Sequence, residues 1–185
     1  VRHSAGNGAL AREFSRGVQP HVYKRALNFA AIETALNTRE KIGASRRRRA
    51  ALRPAEGTLD VKLDRGGIRD IEFLVQCLQR VYGGAEQWLR SGGTLFSLQK
   101  LHDKGHLSGK DFHELTWAYE FLRRVEHRLQ VRRGQQVHRL PASPEELAVL
   151  YRTVGPDRTG LVATYGLVEA LRQRMQAVAA IYQRI

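Results

Sequence analysis

The sequence predicts an all-α fold, an irregular bundle of six or seven helices with a short extended segment ahead of a Gly-Gly hinge. Three observations carry this expectation. Apolar residues recur at three- and four-residue spacing through most of the chain. Strand signals are nearly absent, with residues 61–63 the one candidate. Glycine and proline punctuate the periodic stretches at short intervals, as between neighbouring helices of a bundle.

The elements follow in order. Residues 9–16 read as a short helix stopped by Gly17, and Pro20 as the start of a turn through Val22 and Tyr23. Residues 30–49 form a second helical pattern on Ala31, Ile32, Ala35, Leu36 and Ile42, closing on Arg46, Arg47, Arg48 and Arg49. Pro54 and Gly57 then break the chain, which divides it into an N-terminal helical segment, 1–56, and a helical bundle domain, 57–185. Leu59-Asp60-Val61-Lys62-Leu63 is a short extended approach to Gly66-Gly67. From Ile68 a helix runs to Gly83-Gly84 on Ile68, Ile71, Leu74, Val75, Leu78, Val81 and Tyr82, with Arg69, Glu72, Gln76 and Arg80 on a polar stripe.

Thr94 reads as the cap of a helix through Lys104, stopped by Gly105. Ser108 opens the longest helix, closed by Gly134, with Phe112, Leu115, Ala118, Tyr119, Leu122, Val125 and Leu129 as its inner stripe. Ser143-Pro144-Glu145-Glu146 combines a cap, a first-position proline and a capping box, and Gly155 ends that helix. A last helix covers residues 160–184, with Leu161, Tyr165, Val168, Leu171, Met175, Val178 and Ile181 inward.

Composition narrows the function classes. A 185-residue chain with 42% hydrophobic residues buries enough surface to fold without staples. Its one cysteine, Cys77, cannot form an internal disulfide, which fits a reducing cytoplasm. No apolar run reaches the ~18 residues of a membrane span, and no signal-peptide pattern opens the chain. The first residue is Val1 rather than methionine, the mark expected of an excised fragment. A net charge of +13 implies an acidic or phosphate-bearing partner. Nucleic acid is the generic candidate, but the charge is spread along helices and no RNP-like strand, zinc finger or helix-turn-helix is present. The run Arg46–Arg49 is a candidate anion contact, since a helix C-terminus accounts for only one or two of its charges.

Motifs for catalysis fail on spacing. Asp70 and Glu72 point about 160° apart on a helix and cannot share a metal. Gly105-His106-Leu107-Ser108-Gly109-Lys110 is one residue short of a phosphate loop and reads as a helix-to-helix turn. His102 and His106 stand four apart, but Gly105 ends the helix between them. No catalytic or metal-ligating residue is assigned.

Two blocks carry a resemblance. Gly66-Gly67-Ile68-Arg69-Asp70-Ile71-Glu72-Phe73, and then Tyr119-Glu120-Phe121-Leu122-Arg123-Arg124-Val125-Glu126-His127-Arg128-Leu129-Gln130 followed by Leu140-Pro141, resemble the bifunctional glutamine synthetase adenylyltransferase/deadenylylase family. The resemblance covers roughly residue 22 to the C-terminus. It implies the helical domain that follows the N-terminal nucleotidyltransferase domain, with Arg69 favouring the deadenylylating half. The implied parent adds AMP from ATP to a glutamine synthetase tyrosine and removes it by phosphorolysis, giving ADP, under control of the PII signal protein. Mg²⁺ and ATP or ADP are implied for the parent and no cofactor for this chain. The metal-binding Asp-x-Asp of the family is absent, so the chain alone is expected to be inactive and to complete a cleft and hold partners: glutamine synthetase, PII and its own nucleotidyltransferase domain. By the same resemblance Gly66, Gly67, Arg69, Asp70 and Glu72 lie near a nucleotide phosphate, with backbone N–H groups of the glycine turn facing it. Tyr119, Arg123, Glu126 and His127 are expected to form an internal polar network. The related PII uridylyltransferase has a similar Gly-Gly-Leu-Arg-Asp-Ile stretch, usually without Glu-Phe after it, so Glu72-Phe73 disfavours that alternative; a nucleic-acid-binding module is the other.

Overall fold

The computed structural model describes residues 3–24, 41, 43–44 and 58–185, and among these it contains seven α-helices. They are α1 (Gly8–Val22), α2 (Ile68–Tyr82), α3 (Thr94–Asp103), α4 (Gly109–Arg133), α5 (Pro144–Val154), α6 (Leu161–Tyr165) and α7 (Leu167–Arg184), with a 3₁₀ turn at Gln87–Leu89. The all-α expectation holds. The helix over residues 30–49, the Arg46–Arg49 run and the 56/57 boundary lie outside the described residues.

Helix α4 is central because apolar side chains line it from end to end. Leu115, Ala118, Phe121, Leu122, Val125 and Leu129 are buried, and α2, α3, α5 and α7 all pack on it. From α2 come Ile68, Ile71, Leu74, Val75 and Leu78, and from α7 Leu171, Met175, Val178 and Ile181, into one continuous core. Caps set the ends. Ser108 accepts the Asp111 N–H at 3.1 Å to start α4, and Gly134, at φ 61°, stops it.

The structure corrects four boundaries. Helix α1 runs through Gly17 and Pro20 as one element; Asn7 caps it by accepting the Ala9 and Leu10 N–H groups, and the proline forfeits only one hydrogen bond near the helix end. Gly93, not Thr94, is the cap of α3, because the Thr94 side chain is engaged with Tyr119. The last helix is two: Gly166, at φ 80°, breaks it, which turns Tyr165 out to solvent. Residues 61–63 form a turn, not a strand, since Asp60 Oδ1 accepts the Lys62 and Leu63 N–H groups. What remains extended is a brief antiparallel pairing. Leu140 N–H donates to Leu59 O at 2.9 Å and Val61 N–H to His138 O at 3.0 Å, with Asp60 opposite Arg139.

Both hinge glycines are buried at close backbone approaches. Gly66 has φ 78°, and a Cβ there would overlap the Met175 carbonyl of α7. At Gly67 a Cβ would meet Val61 O at 2.8 Å and Asp64 O at 2.9 Å. Gly66→Ala is therefore expected to cost roughly 3 kcal/mol or more, from strained φ plus overpacking. Gly134→Ala, also at positive φ but with nothing within 4 Å, is expected to cost about 1 kcal/mol. Urea unfolding of the two variants checks this; equal losses would show that the α7 contact contributes nothing.

Candidate functional site

The start of α2 sits in a socket of carbonyls. A helix N-terminus leaves its first N–H groups without intrahelical partners. Here Ile68 N–H donates to Val61 O and Arg69 N–H to Lys62 O, each at 3.0 Å. Gly67 N–H donates to Asp64 O at 2.9 Å, and Gly66 N–H to Asp70 Oδ2 at 2.8 Å. Asp70, buried in the first turn, also sits where the helix dipole favours a negative charge. The expectation that these N–H groups face a phosphate is thereby corrected: each is donated within the chain. Of the five residues expected there, Gly66, Gly67 and Asp70 are structural, Arg69 is exposed, and Glu72 faces α4.

Glu72 joins the two sequence blocks. Its Oε1 accepts the Tyr119 hydroxyl at 3.0 Å. Burial pushes the pKa of that phenol above its ordinary value; the Thr94 hydroxyl pulls against this, and the Glu72 charge adds to it. One and two turns further along α4, Arg123 and Glu126 pair through Nη1 and Oε2. Glu126 is fully buried, yet Lys62 Nζ lies 3.2 Å and His138 Nδ1 3.0 Å from its other oxygen. One carboxylate thus gathers the turn before α2, the middle of α4 and the loop after α4.

The expected network is in this way partly redrawn. Arg123 and Glu126 meet directly, while Tyr119 bonds to Glu72. His127 is exposed and stands outside the cluster, because one residue past Glu126 on a helix faces about 100° away. Lys62 and His138 were missed. The alternation Asp60-Val61-Lys62 hinted at the first; the loop gave no signal for the second. His102 and His106 are engaged separately, His102 stacking on Phe112 and His106 on Tyr82 with Nε2 2.6 Å from Glu86.

Chemically, this face is an ordered wall. Lys62 and Arg123 keep 28% and 35% of their side chains in solvent while their charges are held by Glu126, and Arg69 stands beside them on α2. Fixed cations with solvent access suit contact with a carboxylate or phosphate. Asp70 and Glu72 are each committed elsewhere and do not form a metal pair.

A family model described as GlnD PII-uridylyltransferase matches residues 37–185. Among curated relatives, the bifunctional glutamine synthetase adenylyltransferase/adenylyl-removing enzyme of Burkholderia mallei is 37% identical over 185 residues, all of this chain and 19% of the relative. Enzymes of the same name from Caulobacter vibrioides and Xanthomonas campestris pv. campestris are 41% identical over 146 residues and 37% over 191, covering 79% and 97% of this chain. These alignments take in 14% and 20% of those relatives, so the chain spans about a fifth of the length of the proteins it matches.

Two outcomes are expected at this site. Glu126→Ala removes the shared counter-charge and is expected to cost about 3 kcal/mol, the low end for a broken buried pair because Lys62 and Arg123 reach water; Glu126→Gln should cost less. Urea midpoints measure both. The raised Tyr119 pKa gives stability that is full below the unfolded phenol value of about 10 and is lost as pH rises through the folded value. Wild type should therefore lose stability more steeply than Tyr119→Phe above about pH 10, and parallel curves would rule the coupling out.

Proposed function

The chain belongs to the GlnD PII-uridylyltransferase family, and on that premise we propose that it is a helical domain of an enzyme that reversibly adenylylates glutamine synthetase. The observation that carries this reading is the Glu72–Tyr119 bond, which joins two blocks far apart in sequence into one face. Thirty-seven per cent identity to adenylyltransferase/adenylyl-removing enzymes over the whole chain supports it. On this reading the parent acts in the cytoplasm, and this half removes AMP by phosphorolysis, using ATP or ADP and Mg²⁺ held by a neighbouring nucleotidyltransferase domain. The face formed by Arg69, Lys62 and Arg123 borders that cleft and meets the anionic groups in it. Glutamine synthetase and the PII signal protein dock on this domain. Nucleic acid is a poor partner for it.

The description of the matched family favours a second reading, a helical region of a PII uridylyltransferase. Binding separates the two. The chain is mixed with glutamine synthetase, adenylylated and not, with PII, and with a DNA duplex, at low and moderate salt. Saturable, salt-tolerant binding to the synthetase, with only weak salt-sensitive binding to DNA, is the expected outcome. Binding to PII alone would favour the second reading. Tight DNA binding without affinity for the synthetase would overturn both. Arg69→Gln, at an exposed position, is expected to weaken synthetase binding by about tenfold without lowering stability.

A further inference from the structure

The far end of α2 carries a different feature. Between the C-terminal half of α1 and the turn after α2 lies an open cleft of about 400 Å³, within the range of small-molecule sites. Arg16, Gln19, Tyr23 and Lys24 line one side and Gln87 and Arg90 the other. Three of these are cations, and no acidic side chain lines the cleft among the described residues. About 22 Å of helix separates it from the Gly66–Gly67 turn.

Arg90 is built into place. Its Nε donates to Gly83 O at 2.7 Å, its Nη1 to Gln19 Oε1 at 3.0 Å and its Nη2 to Gly84 O at 3.4 Å, while the guanidinium lies 5.0 Å from the Tyr23 ring centroid. Those contacts use three of its five N–H donors and fix the plane of the fork. Arg16 and Lys24 stand exposed on the facing side. A held guanidinium opposite two cations, with carboxamides from Gln19 and Gln87 alongside, has the chemistry to receive several phosphate oxygens at once.

We propose that this cleft is a binding site for a small phosphate-bearing molecule, with Arg90, Arg16 and Lys24 holding the phosphate. The site is separate from the Arg69 face and does not rest on the function proposed above. Titration calorimetry of the chain with inorganic phosphate and with pyrophosphate, at physiological ionic strength, tests it. The expected result is one saturable site that prefers pyrophosphate. The double substitution Arg16→Gln with Lys24→Gln, at exposed positions, should weaken pyrophosphate by about tenfold or more, the equivalent of one lost charge-assisted contact. Arg69→Gln should leave it unchanged. Absence of binding by either probe would overturn the proposal. So would binding lost in Arg69→Gln but kept in the double variant, or a DNA duplex that displaces pyrophosphate and binds far more tightly.

Discussion

The close approach of three backbones at Gly66 and Gly67 is the constraint on which the arrangement depends. The start of α2 is pressed between the Asp60–Asp64 turn and the Met175 carbonyl of α7, and no side chain fits at either glycine. That contact fixes α2 against α7 and brings the turn's carbonyls onto the orphan N–H groups of the helix. With its first turn so anchored, α2 directs Ile68, Ile71 and Leu74 into the core and leaves Arg69 outside. The Gly-Gly pair therefore acts by absence of volume as much as by conformational freedom.

Charge does inside this bundle what apolar packing alone does not: it ties distant segments in a single register. Glu126 binds groups from residues 62, 123 and 138. At the other side of α4, buried Arg174 of α7 pairs with Glu114 at 2.9 Å and bonds to Thr159 before α6. Burying an ion costs several kcal/mol, so each is held with more than one partner. The overall excess of positive charge is left mainly to the surface, where solvated arginines and lysines await anionic partners.

The candidate face was half legible. Helical periodicity located Arg69 and Glu72 on one stripe and Tyr119, Arg123 and Glu126 on another, because spacing along a helix reports direction directly. It did not reveal that the stripes face one another, since that depends on how α2 and α4 pack. Asp70 was read as part of a phosphate contact, whereas the fold buries it and turns it back to Gly66 N–H. His138 was invisible: a loop residue has no period, and its nearness to Glu126 follows from the pairing of residues 59–61 with 138–140.

By itself, the sequence determined the helical class, the course of α2, α4 and α5, their caps at Ser108 and Ser143 and their stops at Gly134 and Gly155, and the two blocks that mark the family. These are local matters, settled by hydrophobic period and by hydrogen bonds within four residues. Tertiary structure decided which polar groups are buried, why both glycines are needed, and the break at Gly166 that ends α6. It also decided that Lys62, Glu72, Tyr119, Arg123, Glu126 and His138 share one face. The physical reason is that close packing and charge pairing are properties of surfaces in contact, and residues far apart in the chain acquire a common surface only when the bundle closes.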